Sequence, residues 1–183
     1  MGGGKTLILS QLCYYSTERT SHIEASAYIT TDNMLQNFEG ITDYTGTTDI
    51  PSAVAYKKGD ILVSNIRPYL QKIWYADHDG ACSPDVLVFR VNNDEIQSKF
   101  LFYSMKRQEF FDFIMNQAGV KGMKMPRGNK EATLNFKIVV PSISEQNKIV
   151  AQVEQYEAEI RKAQAIMNGC AARKKAILDK YLN

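Results

Sequence analysis

Few residues in this chain are of the kind that hold a structural metal or a disulfide framework. Its 183 residues include only two histidines and three cysteines. Cys13, Cys82 and Cys170 lie far apart, without a CxxC pair or the Cys/His spacing of a zinc site, so neither kind of site is expected. A signal peptide and an apolar run of about 20 residues are also missing. The sequence therefore predicts a soluble, cytoplasmic protein with no membrane partner.

Motifs that carry catalysis are missing as well. Residues 2–6 read GGGKT, but a phosphate-binding P-loop needs an earlier glycine and a strand leading into it. Pro84 and Asp85 match the first half of a metal-dependent nuclease motif, yet no glutamate in the chain has a lysine two residues later. His78, in the DHDG stretch at 77–80, fits either a metal site or a hydrophilic hairpin tip, and the hairpin is favoured. We therefore expect no catalytic residue, no metal site and no cofactor bound by this chain.

Charge is distributed unevenly along a chain whose formal net charge is only +2. Residues 1–50 hold two basic and six acidic residues, a net charge of −4. Residues 116–137 hold five basic residues and one acidic residue, a net charge of +4. A basic segment inside a nearly neutral protein indicates an anionic partner bound at one place, although a solvated loop has the same composition.

Short apolar runs separated by turn residues predict a twisted, partly barrel-like sheet. The runs lie at 7–9, 28–30, 61–63, 72–75, 86–91 and 134–140. Residues 65–69 form a polar corner in which Pro68 disfavours helix. Residues 98–117 carry a broad apolar face that predicts one helix, which Gly119 ends. The predicted fold class is α+β, with a long helix after the sheet.

The C-terminal residues predict one long helix with a coiled-coil stripe. From Ile149 onward, positions at alternating spacings of four and three residues are apolar or aromatic, with Lys174 as the exception. This spacing keeps one stripe turned towards a partner helix. The predicted dimer interface consists of Ile149, Val153, Tyr156, Ile160, Ala163, Met167, Cys170, Ile177 and Tyr181.

The start of this helix is marked by Pro141, which ends the preceding strand. Ser142 and Glu145 fit a capping box, and Ser144 is a competing cap. A terminal helix folded back on its own domain is the alternative. A length on the order of 55 Å and the unbroken spacing favour the coiled coil. The predicted domains are a globular domain at 1–141 and the long helix at 142–183.

The basic segment is the best candidate for a binding surface. Residues 119–130 interleave cations with glycine, proline and methionine. Lysines can neutralise phosphates, whereas Arg127 and Asn129 can make bidentate contacts to guanine and adenine edges. The predicted DNA-binding residues of this segment are Lys121, Lys124, Arg127, Asn129 and Lys130.

The polar corner offers a second set of binding residues. Arg67, Tyr69 and Lys72 can join the basic segment on one face. For Arg67 a structural role is the alternative, and the favoured one, because Asp60 and Asp85 are both available as ion-pair partners.

Two stretches resemble those of a known family. Residues 59–70 read GDILVSNIRPYL, and residues 140–150 read VPSISEQNKIV, the start of the long helix. Together with the helix near Phe100, the basic segment between them, and the helix end KKAILDKY at 174–181, these stretches resemble the target recognition domain and long helix of the specificity subunit of type I restriction-modification systems. The resemblance covers nearly the whole chain.

The resemblance implies a DNA-specificity subunit without chemistry of its own. Such subunits usually carry two recognition domains and two long helices, whereas this chain has one of each. It is then either a fragment or a half-subunit that forms a homodimer, with two helices paired antiparallel. The implied target is double-stranded DNA with a bipartite, palindromic site. The implied partners are methyltransferase subunits, which carry S-adenosylmethionine and modify adenine, and a restriction subunit.

Two other classes of function compete with this one. In the first, the chain is a non-catalytic protein-interaction adaptor in which the coiled-coil helix is the functional part. In the second, it is a small nuclease, for which no metal site is found in the sequence. Strong salt dependence of DNA binding would favour the recognition function over the adaptor, because phosphate neutralisation releases counterions.

Overall fold

The computed structural model describes residues 3–117 and 124–182, which form ten strands and five helices. The strands are β1 (Lys5–Ile8), β2 (Cys13–Tyr15), β3 (Arg19–Thr20), β4 (Tyr28–Ile29), β5 (Ala53–Tyr56), β6 (Ile61–Ser64), β7 (Ile73–Tyr75), β8 (Gly80–Cys82), β9 (Val86–Val91) and β10 (Lys137–Val140). The helices are α1 (Leu9–Leu12), α2 (Ser98–Met105), α3 (Gln108–Met115), α4 (Lys130–Thr133) and α5 (Ile143–Leu182). The chain divides into two compact units, Met1–Gln146 and Asn147–Asn183.

Two four-stranded sheets form the body of the first unit. Their strand orders are β2-β9-β6-β7 and β3-β5-β8-β4. Neighbouring strands are antiparallel, except that β4 and β8 are parallel. Neither sheet closes on itself within the described residues. The predicted fold class, an α+β domain with a partly barrel-like sheet followed by a long helix, is confirmed.

The two sheets share one apolar core. Leu62 and Trp74 of the first sheet cluster with Ile29, Tyr56 and Cys82 of the second, and all of them are buried. The rings of Tyr56 and Trp74 meet edge to face, with centroids 5.7 Å apart. All four residues of β6 are buried, as expected for an interior strand covered on both faces.

The beginning of the chain pairs with the strand that precedes the long helix. β1 and β10 form an antiparallel pair in which Lys5 lies opposite Val140 and Ile8 opposite Lys137. The predicted strand at 7–9 therefore exists but ends earlier, because Leu9 begins α1 and is buried there. The pairing itself joins segments about 130 residues apart and was not visible in the local pattern.

The prediction of one helix over 98–117 is wrong, because the segment forms α2 and α3. Lys106 and Arg107 separate them, and Arg107 has an extended backbone with φ −142° and ψ 151°. Met105 and Phe110 are both fully buried. On one straight helix, five residues of advance would turn these side chains about 140° apart. The break allows both apolar faces to enter the core.

The basic segment also differs from its prediction as a continuous loop. Residues Lys130–Thr133 form α4, and β10 starts at Lys137, after the predicted start at 134. The Asn129 side chain accepts a hydrogen bond from the Ala132 N–H at 3.0 Å. Asn129 is thus the N-cap of a short helix.

Ser142 and Gln146 fix the start of α5. The Ser142 Oγ accepts the Glu145 N–H at 3.3 Å, so Ser142 is the cap and the alternative cap is wrong. Gln146 is fully buried. Its Oε1 accepts the Gln97 N–H at 2.9 Å, and its Nε2 donates to the carbonyls of Glu95 and Pro141 at 2.7 and 2.9 Å. The helix start is therefore hydrogen-bonded to the segment before α2.

A buried ion pair links β9 to the turn before β6. The Asp60 carboxylate accepts hydrogen bonds from the Arg90 Nε and Nη2 at 2.9 and 2.7 Å and from the Lys57 N–H at 2.8 Å. The hydrogen bond to Asp60 raises the pKa of Arg90. Arg90 also pairs with the exposed Glu18 at 2.9 Å. The residue that binds Asp60 is thus Arg90 and not Arg67.

Candidate nucleic-acid interface

The corner after β6 and the end of the basic segment lie side by side. Ile66 and Arg127 form an antiparallel bridge. Next to it, the Arg67 N–H donates to the Pro126 carbonyl at 2.8 Å. These contacts place the corner directly beside Pro126 and Arg127, in the described part of the basic segment.

Gly128 allows this close approach. Its N–H donates to the Asn65 carbonyl at 3.2 Å. A Cβ at this position would lie 2.8 Å from the Ile114 Cγ2 and 2.9 Å from the Asn65 Oδ1, both shorter than ordinary contact distances. The absence of a side chain therefore lets the basic segment pack between the corner and α3.

Four non-glycine residues of the corner and of the loop hydrogen-bonded to it have a left-handed backbone conformation. They are Asn37, Phe38, Arg67 and Gln71, with φ values of 55°, 66°, 50° and 53°. The Asn37 N–H donates to the Leu70 carbonyl, and the Phe38 N–H to the Gln71 carbonyl, both at 3.0 Å. Each such residue costs on the order of 1–3 kcal/mol and persists only where its surroundings enforce it, which is common at functional sites.

The loop that carries Asn37 and Phe38 was not part of the predicted site. Phe38 is held in place by the ring of Phe111 in α3, with centroids 5.8 Å apart. The one local signal was Asn37, since asparagine tolerates the left-handed conformation better than most residues. Sequence alone gave no indication that this loop supports the corner.

The predicted cations differ in their exposure and in their ion-pair partners. Lys124, Lys130 and Arg67 are exposed, and Arg67 forms no ion pair with any residue in 3–117 or 124–182. The Lys130 carbonyl accepts the Tyr15 hydroxyl at 2.8 Å, a contact that does not involve its ammonium group. Lys121 lies outside the described residues. Arg67 and Lys124 are accordingly the cations best placed to meet an anionic ligand.

Arg127 pairs with Asp85, a carboxylate that the sequence had suggested as a partner of Arg67. Its Nη1 lies 3.1 Å from the Asp85 Oδ1, and the two side chains are 58 % and 37 % exposed. The Asp85 carbonyl also accepts the Asn65 N–H at 2.9 Å. Asp85 pairs with Arg127 and Asp60 with Arg90, so the predicted pairing of Arg67 with one of these carboxylates is wrong.

Lys72 and Asn129 have structural partners in addition to their predicted role. The Lys72 Nζ donates to the Thr31 carbonyl at 2.6 Å, and partial burial lowers its pKa. The Asn129 Oδ1 caps α4, and its N–H donates to the Gln117 Oε1 at 3.0 Å. A bidentate contact of Asn129 to adenine would therefore have to share or break the helix cap.

The turn that carries His78 connects β7 of the first sheet to β8 of the second. The His78 Nδ1 lies 2.5 Å from the Asp77 Oδ1, and its Nε2 lies 3.2 Å from the Tyr56 hydroxyl. Its ring packs on Trp74, with centroids 5.4 Å apart. Both ring nitrogens thus have protein partners. The predicted hairpin is wrong, because β7 and β8 do not pair with each other.

The predicted dimer interface lies along α5. Ile149 and Val153 are half-buried, whereas Tyr156, Ile160 and Met167 are 63 %, 66 % and 64 % exposed. The remaining predicted positions, Ala163, Cys170, Ile177 and Tyr181, are also exposed. On a helix that turns about 100° per residue, all nine side chains point within about 60° of their mean direction. The stripe is therefore continuous and open along most of the helix.

In the second half of α5, the exposed apolar face includes residues that were not part of the predicted stripe. Ile166 and Leu182 are exposed and lie at the two flanks of the stripe, and the exposed Leu178 lies within it. None of the described helices combines the length and the apolar character needed to cross a bilayer. A broad apolar face on a water-exposed helix is typical of a surface that binds another helix.

The chain matches a known protein family over most of its length. The family described as Type I restriction modification DNA specificity domain matches residues 9–167. The EcoDI specificity subunit of a type I restriction enzyme from Escherichia coli is 33 % identical over 115 residues, which are 63 % of this chain and 25 % of that protein.

Solved structures share the fold at low sequence identity. The HsdS subunit from Thermoanaerobacter tengcongensis aligns with a TM-score of 0.69 and 21 % identity, over 97 % of this chain and 48 % of that one. A type I S subunit from M. genitalium aligns with a TM-score of 0.51 and 16 % identity, over 88 % and 43 % of the two chains. The chain spans about half the length of these solved relatives and a quarter of the curated one.

The family match extends from the first buried helix, through both sheets and the corner, into the long helix. It therefore includes the whole candidate interface and most of the exposed stripe. The chain belongs to the type I restriction-modification DNA specificity domain family.

Proposed function

We propose that this chain recognises a DNA sequence for a type I restriction-modification complex and adds no chemistry of its own. The observation that carries the proposal is the surface formed by the corner and the basic segment, within a domain of the specificity family. Exposed Arg67 and Lys124 supply positive charge for phosphates. Arg127 supplies a planar donor that can read guanine.

The proposed partners follow from the family and from the names of the relatives. One solved neighbour comes from a study of complex assembly and conformational transition in a type I restriction-modification system. We infer that methyltransferase subunits bind this chain, carry the S-adenosylmethionine and modify adenine, and that a restriction subunit joins them. The chain itself would bind no cofactor.

The proposed target is bipartite and palindromic. The open stripe on α5 supports pairing with a second helix. A homodimer would place two identical recognition domains about a twofold axis, so that each reads one half-site. The paired helices would then set the distance between the half-sites.

Selection from a random DNA pool tests this function directly. The full chain is incubated with duplexes that contain a randomised 40-bp centre, and bound duplexes are amplified and sequenced over several rounds. The expected outcome is one enriched motif made of two inverted half-sites at fixed spacing. Binding should weaken steeply with salt, since each neutralised phosphate contributes a slope of roughly −0.9 in log K against log salt concentration.

The same selection can contradict the proposal. Recovery of no motif by the chain alone and with its methyltransferase partner would remove the recognition function. The exposed face of α5 favours the protein-interaction adaptor as the second candidate in that case. An enriched single half-site would retain recognition but contradict the homodimer.

A further inference from the structure

Tyr69 stands out at the candidate interface because it is an exposed aromatic ring on a tightly fixed turn. It lies in the middle of a 3₁₀ turn, Pro68–Leu70, and is 50 % exposed. Pro68 before it and Gln71 after the turn are both buried. The turn is thus anchored on both sides of a ring that projects into solvent.

The turn is closed by its own backbone and by its conformation. The Leu70 N–H donates to the Arg67 carbonyl and the Gln71 N–H to the Pro68 carbonyl, both at 2.9 Å. Arg67 and Gln71, the residues on either side of the turn, are both left-handed. Pro68 fixes one further φ angle. Few backbone torsions in this turn are free to change.

Neighbouring segments hold the turn from two sides. On one side, the Pro126 carbonyl accepts the Arg67 N–H. On the other, Asn37 and Phe38 donate to the carbonyls of Leu70 and Gln71. The Gln71 side chain is also hydrogen-bonded to Gln108 of α3. The turn therefore cannot move without breaking contacts to both segments.

A rigid support is what an aromatic wedge requires. Separating two stacked base pairs costs a few kcal/mol, and a flexible turn would bend away before the bases open. Because the backbone of the turn is already fixed, insertion costs conformational entropy only in the side chain of Tyr69. The adjacent Arg67 and the exposed Lys124 and Arg127 supply positive charge that would hold the DNA backbone nearby.

We propose that Tyr69 is a specificity-determining residue whose ring inserts at one base step of the DNA half-site and stacks on a base. This inference rests on the proposed function and adds a contact type to it. Base steps differ in how easily they unstack, pyrimidine–purine steps most easily. Tyr69 thereby selects a flexible step without requiring a hydrogen bond to a base edge.

Base-analogue fluorescence tests the insertion. Duplexes with the half-site enriched by the full chain are made with 2-aminopurine at successive positions, because this base brightens when it is unstacked. The wild-type chain should raise the fluorescence at one step only. Tyr69→Phe should keep that signal, whereas Tyr69→Ala should abolish it and weaken binding on the order of 10- to 100-fold.

Two control variants show whether a loss of binding comes from lost stacking, from lost charge or from a nonspecific disturbance of the domain. Arg67→Ala should reduce the salt dependence of binding by about one phosphate contact, and Tyr69→Ala should leave it unchanged. Tyr14→Ala removes another tyrosine, 42 % exposed on β2, and should leave the fluorescence signal in place. Circular dichroism and thermal melting establish that each variant is folded.

The possible failures are distinguishable. If the pool yields a motif but no position brightens, or if Tyr69→Ala binds like the wild type, the wedge is wrong and the recognition function stands. Equal losses from Tyr14→Ala and Tyr69→Ala would also overturn the wedge. If no motif is enriched, the proposed function itself fails.

Discussion

At the scale of single residues, the pairing of Arg127 with Asp85 leads to a prediction about the proposed DNA contact. Both side chains are partly exposed, so the pair adds only about 0–1 kcal/mol to stability. Arg127→Ala should therefore leave the fold intact and weaken specific DNA binding by about 1–3 kcal/mol, with relaxed selectivity at one position. Fluorescence anisotropy with the enriched duplex and with single-base variants of it measures both effects.

Asp85→Asn is the matched change on the other side of the pair. It removes a carboxylate near the DNA and releases Arg127, so affinity should stay equal or rise. A loss of affinity as large as that of Arg127→Ala would mean that the ion pair matters for folding of the corner and not for reading bases.

A second residue-scale prediction concerns the buried carboxylate of Asp60. Its side chain is only 4 % exposed and faces Arg90, which is 15 % exposed. Asp60→Asn should lower the free energy of unfolding by about 3–5 kcal/mol, because the guanidinium keeps its desolvation cost and loses its buried counter-charge, with only the exposed Glu18 remaining. Urea denaturation measures the change. Glu18→Gln, at the exposed partner of Arg90, is the control and should have little effect.

The residue scale also shows the limit of sequence reasoning. Side-chain chemistry suggested Arg67, Tyr69 and Arg127 as binding residues, but it did not show which arginine binds which carboxylate. Asp60 and Arg90 come together only because β6 and β9 are neighbours in the sheet. Such a contact depends on strand order, and strand order is not encoded in local spacing.

At the scale of elements, α4 tests whether Asn129 reads DNA or only caps a helix. Asn129→Ala removes both the cap and the carboxamide, and should cost about 0.5–2 kcal/mol of stability. Asn129→Ser keeps a good cap and removes only the carboxamide. If Asn129 contacts adenine, both variants should lose a similar factor in DNA affinity. A loss confined to Asn129→Ala would assign the residue to the helix cap.

The start of α5 gives a second element-scale prediction. Gln146 makes three buried hydrogen bonds, to Gln97, Glu95 and Pro141. Gln146→Ala would leave these main-chain groups unsatisfied, at about 1–3 kcal/mol for each buried group that water cannot reach. Thermal melting should show a clear decrease in Tm. A Tm equal to that of the wild type would mean that the helix start is not fixed by this side chain.

Elements were predicted well where a local pattern was strong. The strands around 61–63 and 86–91 and the long helix with its Ser142 cap match the structure. The break between α2 and α3 was missed, since helix propensity continues across Lys106 and Arg107 and only core packing favours the separation. The short strands β2, β3, β5 and β8 were missed because none of them contains the isoleucine or leucine that is present in each predicted apolar run.

At the scale of the whole molecule, the open stripe on α5 predicts self-association. Ile160→Glu places a charge in the middle of the stripe and should weaken dimerisation at least about tenfold, or about 1.4 kcal/mol. Ala165→Glu is the matched control, because Ala165 is exposed on the opposite side of the helix. Sedimentation equilibrium should show the wild type and Ala165→Glu as dimers and Ile160→Glu as a monomer. A wild type that stays monomeric at all concentrations would contradict the homodimer.

The central claim is that this chain selects the DNA sequence that a partner methyltransferase modifies. The most direct test is a map of modified bases across the source genome, in strains with and without this chain. The account predicts that methyladenine disappears from one split palindromic motif and from no other sequence. Unchanged methylation in a strain whose type I methyltransferase is active would contradict it.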